Sequence, residues 1–141
     1  ILNRTSNPGA GDLQDRLVDD IPLYMHLASM LAPIAAARIG ASGWSSIGIV
    51  AGATWPAEAN ALRSTLPNSP FLVPGFGAQG AGPEKALASL IRNHDYWQGG
   101  LINSTRGLIF PESARDASSI DAWKSAILAK IDMDKQVLNS I

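Results

Sequence analysis

Short apolar runs alternate with helical segments four times along the chain, and this alternation constrains the fold more than any other feature. The apolar runs predict strands, because runs of this length and composition are typical of strands buried on both faces of a parallel sheet. The predicted strands are Ile1–Leu2, Ile47–Ala51, Phe71–Val73 and Gly100–Asn103. The predicted helices are Asp12–Ile39, broken or restarted at Pro22 and Pro33 and closed by Gly40, then Pro56–Leu66, Pro83–Arg92 and Ile120–Lys130.

Strands that alternate with helices indicate an α/β fold with a parallel sheet. The 141 residues give about 35 residues to each of four strand–helix units. A closed eight-stranded (β/α)8 barrel, or TIM barrel, needs about 250 residues. The sequence therefore predicts one α/β domain over 1–141, built from four units and equal to half of a barrel.

Composition excludes several classes of protein and site. Hydrophobic residues make up 46% and charged residues 16%, which argues against disorder. The net charge is -1 and the chain has no basic block, so we expect no nucleic-acid partner. There is no cysteine and there are two histidines, His26 and His94, so we expect neither thiol chemistry nor a multi-histidine metal site. No apolar run reaches the roughly 18–20 residues that span a bilayer, so we expect no membrane partner.

Polar and glycine residues follow each predicted strand, where parallel α/β folds place their functional groups. The loop Gly75–Gly80 matches G-x-G-x-x-G between a strand and a helix. A dinucleotide site would also need an acidic residue after the next strand, which here ends at Asn103 without one. We therefore interpret the loop as a phosphate grip, with Arg106 of the adjacent loop as its cationic partner, since a guanidinium fork suits phosphate oxygens.

The four strand-end segments resemble those of the orotidine 5′-phosphate decarboxylase family, in its longer bacterial type. The motifs occur in the same order over nearly the whole chain, and they are Arg4–Asp15 (RTSNPGAGDLQD), Val50–Glu58 (VAGATWPAE), Phe71–Gly80 (FLVPGFGAQG) and Asn103–Phe110 (NSTRGLIF). The resemblance implies a (β/α)8 barrel of which this chain is the C-terminal half, from the fifth strand onward, with the N-terminal half absent. It also implies a cytoplasmic homodimer of pyrimidine biosynthesis.

The resemblance further implies a role for each site residue. Ser6 would bond the pyrimidine edge, and Pro74 would pack beside the ring. Gln79 would reach both the pyrimidine and the phosphate, and Arg106 with the backbone around Thr105 would bind the phosphodianion. The reaction would convert orotidine monophosphate to UMP and CO2 with no cofactor and no metal.

One departure from the family pattern is large. The family's catalytic Lys and Asp residues, in the pattern Asp-x-Lys-x-x-Asp, have no counterpart here, and the four lysines all lie in predicted helical segments: Lys85, Lys124, Lys130 and Lys135. We therefore expect no catalytic residue in this chain and no activity from the 141 residues alone. Two alternatives stay open: a non-catalytic phosphate-binding half-barrel that needs a partner chain, and another sugar-phosphate lyase of the same barrel superfamily.

Overall fold

The computed structural model describes residues 1–77 and 79–141, so that Ala78 of the predicted glycine-rich loop lies outside the described residues. The chain forms, in order, β1 (Leu2–Arg4), α1 (Gly11–Gln14), β2 (Leu17–Val18), β3 (Ile21–Pro22), α2 (Leu23–Ala36), β4 (Ile49–Ala51), α3 (Pro56–Thr65), β5 (Phe71–Pro74), α4 (Pro83–Leu87), β6 (Ile91–Asn93), β7 (Tyr96–Gln98), β8 (Gly100–Asn103), α5 (Thr105–Ile109), a 3-10 turn (Glu112–Ala114) and α6 (Ile120–Asn139).

Strands β1, β4, β5 and β8 form one parallel sheet in that spatial order. The order follows the chain, with helices between the strands, which confirms the predicted α/β class. Because β5 and β8 are neighbours, with Pro74 opposite Asn103, the loops that follow them lie side by side. We predicted that the glycine loop lies next to the loop of Arg106, and this pairing of β5 with β8 is the reason that it does.

The two faces of the sheet differ in burial. One face packs against the helices, and its side chains Ile49, Phe71 and Val73 are buried with Leu31 and Leu62 in the main core. Alternate side chains of the same strands project from the opposite face, as the two-residue period of a strand requires. That face is largely bare, and its exposed hydrophobic residues include Leu2, Leu72 and Leu101.

The prediction of helical structure over Asp12–Ile39 is wrong in its first part, because the antiparallel β2–β3 hairpin separates α1 from α2. Asp19 and Asp20 both have positive φ, at 50° and 62°. A two-residue hairpin turn with both central residues at positive φ requires residues that tolerate this region, and aspartate is one of them. Pro22 immediately precedes α2, as predicted for a restart, whereas Pro33 lies inside α2 without ending it.

Three other boundaries also differ from prediction. The helix predicted over Pro83–Arg92 ends at Leu87 and is followed by the β6–β7 hairpin, whose turn places His94 at a φ of 49°. The segment around Arg106, which was predicted as a loop, is in part the start of α5, and α6 continues to Asn139 instead of ending at Lys130. Within residues 1–77 and 79–141, no helix combines the length and the apolar character needed to cross a membrane.

Candidate functional site

The loops after β5 and β8 enclose a cleft at the carboxyl end of the sheet. Its volume is about 90 Å³. Four of the five predicted site residues line it, and among the described residues the lining consists of Pro74, Gly75, Phe76, Gln79, Asn103, Ser104, Thr105 and Arg106. The structure thus brings Pro74, Gln79, Thr105 and Arg106 together around one space.

The size of the cleft limits what it can hold. Pockets that enclose whole small molecules measure about 300–1,000 Å³. The cleft therefore suits a compact group such as a phosphoryl group, and the rest of a larger ligand would extend beyond it.

Donors for an anion lie on the β8 side of the cleft. Arg106 sits in the first turn of the short helix α5 and is exposed. Among the residues that the structure describes, it has no carboxylate within ion-pair distance. The first N–H groups of a helix have no partner inside the helix, so those of α5 add uncharged donors beside the guanidinium.

Ser104 connects the two loops, and sequence reasoning did not single it out. Its hydroxyl donates a hydrogen bond of 3.1 Å to the carbonyl of Phe76, at the start of the glycine loop. Ser104 precedes α5 at the capping position, but its side chain accepts no N–H of that helix. The hydroxyl therefore fixes the glycine loop against β8 and leaves the first N–H groups of α5 free of a side-chain cap. A serine directly before a helix was the available signal, although it would have predicted a cap.

The fifth predicted residue, Ser6, lies outside the lining but next to it. Gly75 has a φ of 104°, and a Cβ placed on it would lie 3.1 Å from Oε1 of Gln79 and 3.1 Å from Cβ of Ser6. The Ser6 and Gln79 side chains thus both lie close to Gly75, where a larger residue would collide with them. Gly52 of the loop after β4 also lies against Ser6, since a Cβ there would stand 2.8 Å from the backbone nitrogen of Ser6.

Gln79 consequently stands between two environments. It lines the cleft together with Arg106, and its Oε1 lies beside Gly75, which is also flanked by the Ser6 side chain. Its amide offers both a donor and an acceptor, so a single side chain can contact an anion and a polar ring edge. The arrangement suits a ligand with a phosphate at one end and a hydrogen-bonding ring at the other.

No protein-family model matches the chain. Its relatives include an orotidine 5′-phosphate decarboxylase of Rhodopirellula baltica, which is 36% identical over 97% of this chain and 46% of that protein. Another is the orotidine 5′-phosphate decarboxylase of Haloarcula marismortui, 40% identical over 99% of this chain and 48% of that protein. The chain spans about half the length of the curated relatives it matches.

Solved structures give the same result. The OMP decarboxylase of Leishmania donovani superposes with a TM-score of 0.58 at 32% identity, covering 94% of this chain and 46% of that one. The UMP synthase of Leishmania donovani superposes with a TM-score of 0.64 at 32% identity, covering 94% of this chain and 26% of that one. These neighbours confirm the predicted half of a TIM barrel. In sequence and in fold, the chain is thus similar over nearly its whole length to the C-terminal half of orotidine 5′-phosphate decarboxylases.

Proposed function

We propose that this chain is the substrate-binding half of an orotidine 5′-phosphate decarboxylase, which converts orotidine monophosphate to UMP and CO2 as a homodimer in the cytoplasm. The observation that carries the proposal is the position of Gln79, which lines the cleft of Arg106 and lies beside Gly75, the glycine that the Ser6 side chain also flanks. A nucleoside monophosphate presents a ring edge and a phosphodianion to just such a pair of environments.

In this proposal the chain binds and orients, while the proton is supplied from outside it. Loss of CO2 leaves an electron pair on the ring carbon, and a general acid must protonate that carbon. The lysines of this chain lie in α4 and α6, not in the loops that follow the sheet strands. Phosphate binding at Arg106 is remote from the broken bond, and such binding energy can be used to organise the reacting centre. Closing the glycine loop over the ligand would also exclude water.

The 141 residues alone are expected not to decarboxylate orotidine monophosphate, because the proton donor is missing. Release of labelled CO2 from carboxyl-labelled substrate checks this, with a complete relative as the positive control. Turnover above the uncatalysed background would contradict the prediction. The length of the gene's open reading frame distinguishes an enzyme from a non-catalytic binding half-barrel. About 120–150 further upstream residues that contain Asp-x-Lys-x-x-Asp would support the enzyme. Their absence supports a binding half-barrel that needs a partner chain.

Replacing Ser6 with alanine is expected to weaken recognition of the pyrimidine and not of the phosphate. Losing one partner of a buried polar pair costs about 1–3 kcal/mol. Binding of UMP and of ribose 5-phosphate to the natural protein that carries this chain, measured by calorimetry, separates the two ends of the ligand. We expect Ser6→Ala to weaken UMP alone.

The matched control for this change is Ser125→Ala, which removes an exposed hydroxyl on α6 and is expected to alter neither affinity. Unchanged UMP binding by Ser6→Ala would remove the pyrimidine role. It would instead favour another sugar-phosphate lyase, which has no ring edge to recognise.

A further inference from the structure

A buried arginine lies directly behind the Ser6 loop, and the proposed function gives it no contact with the substrate. Arg4 at the end of β1 is fully buried, with 0% of its surface exposed. Its Nη2 lies 3.0 Å from Oδ2 of Asp15, and its Nη1 donates a bond of 3.2 Å to Oε1 of Gln14. Its guanidinium stacks on the ring of Trp55 at 4.1 Å. Arg4 therefore orients two side chains, one on each side of the chain that follows it.

Those two side chains bind both polar backbone groups of Thr5, the residue before Ser6. Oε1 of Gln14 accepts a bond of 3.0 Å from the Thr5 N–H. The indole N–H of Trp55 donates a bond of 3.0 Å to the Thr5 carbonyl. Gln14 also donates from Nε2 to the Thr5 hydroxyl at 3.0 Å. The peptide groups on either side of Thr5 are thus fixed by α1 and by the loop after β4.

The side-chain contacts with the Ser6 backbone are few by comparison. The hydroxyl of Thr54 donates to the Ser6 carbonyl at a longer distance, 3.4 Å. The orientation of Ser6 therefore depends on how Thr5 is held. The charge on Arg4 is matched by Asp15. Burial, and then the carboxylates of Glu58 and Asp15, raise the pKa of the nearby Tyr24.

We infer that Gln14 and Trp55, oriented by Arg4, are positioning residues that set the direction of the Ser6 hydroxyl for recognition of the ligand's ring. The inference rests on the proposed function, because it needs Ser6 to contact a pyrimidine. It accounts for motif residues that have no place around the cleft: Arg4, Gln14, Asp15 and Trp55 all belong to the first two motifs of the sequence.

The test uses Trp55→Phe in the natural protein that carries this chain, since phenylalanine keeps a ring beneath Arg4 and removes only the donor to Thr5. We expect about a ten-fold loss of UMP affinity, which is the scale of one to two hydrogen bonds, with ribose 5-phosphate affinity unchanged. Gln14→Leu is a second variant with the same expectation. Trp123→Phe is the matched control, because it removes an indole donor to the Ile109 carbonyl, and the ratio of the two affinities should not change.

A double-variant cycle with Ser6→Ala decides whether Trp55 acts through Ser6. If it does, Ser6→Ala/Trp55→Phe binds UMP no more weakly than Ser6→Ala alone. Additive losses would overturn the inference, as would equal losses of UMP and ribose 5-phosphate in Trp55→Phe and Gln14→Leu. A loss in Ser6→Ala with none in these two variants would also overturn it while leaving the proposed function intact. No loss in Ser6→Ala would overturn the proposed function and the inference together.

Discussion

Arg106→Ala is expected to weaken binding of UMP to the natural protein by about 2–4 kcal/mol, roughly 30- to 800-fold. Charge-assisted hydrogen bonds are the strong ones, and the variant leaves a phosphodianion without the cation that Arg106 supplies at the cleft. The N–H groups of α5 remain in the variant, so binding is expected to be reduced and not abolished. Isothermal titration with UMP and with uridine measures the effect, and uridine, which lacks the phosphate, should bind both proteins equally.

Arg38→Ala provides the matched control for this prediction. It removes the same charge from an exposed position just after α2, at the opposite end of the sheet from the cleft. A general electrostatic effect would reduce UMP binding similarly in both variants. Equal losses for UMP and uridine in Arg106→Ala would contradict the assignment of Arg106 to the phosphate.

The sheet and the cleft were predictable from sequence because their signals are local. The apolar runs predicted all four parallel strands, and each predicted end lies within two residues of the observed one. Chain order then placed β8 beside β5, and this adjacency brought Arg106 to the glycine loop. The resemblance to the decarboxylase family predicted Ser6 as a site residue, and its place beside Gly75, near which Gln79 also lies, could not be derived from spacing.

The hairpins were missed because helical periodicity overrode a turn signal. Leu17 and Ile21 fit a helical period as well as they fit two short strands, and only the conformation of the aspartates between them separates the two. Val18-Asp19-Asp20-Ile21 does carry a signal, since two residues that tolerate positive φ lie between two β-branched residues. His94 gives a weaker signal, because histidine is less common than asparagine or glycine in that region.

Arg63 shows a different limit of prediction from sequence, because its hydrogen-bond partners come together only in the folded chain. It lies on α3 and contacts the amino ends of β5 and β8. Its guanidinium donates to five carbonyls at 2.7–3.2 Å, and these belong to Leu66, Pro67, Ser69, Ser89 and Gly99. It also stacks on the ring of Phe71 at 3.7 Å. Partners that lie 3 to 36 residues away cannot be inferred from the neighbours of one arginine.

Arg63 is expected to contribute strongly to the stability of the fold, because it joins α3 to the amino ends of β5 and β8. Burial lowers the pKa of Arg63 to about 10, which still leaves it charged at neutral pH. The charged guanidinium of Arg63 donates hydrogen bonds to several carbonyls at once. These bonds replace the water that the carbonyls lose on burial. Gly99 belongs to the same arrangement, since its φ is 89° and a Cβ there would stand 2.7 Å from the Trp44 ring.

Arg63→Leu is expected to lower the free energy of unfolding of the natural protein by about 3–4 kcal/mol, because leucine fills the space but removes the donor to the half-buried carbonyls of Ser69 and Ser89. The carbonyls of Leu66 and Gly99 keep backbone N–H donors from Ser69 and Phe71, which keeps the loss below the sum of five bonds. Urea unfolding followed by circular dichroism measures it, and the melting temperature should fall by about 10 °C. Arg63→Lys keeps the charge and loses the planar fork, so we expect an intermediate loss.

The same variants separate stability from binding. Arg63 lies at the amino end of the sheet and Arg106 follows its carboxyl end, so folded Arg63→Lys is expected to bind UMP with unchanged affinity. Arg38→Leu, which removes an exposed arginine at the same end of the sheet, should leave the unfolding free energy within about 0.5 kcal/mol. If Arg63→Leu stayed within that same range, the five carbonyls would be satisfied by water and the cluster would not stabilise the sheet. If Arg63→Lys matched the unaltered protein, the charge alone would be sufficient and the fork geometry would contribute nothing.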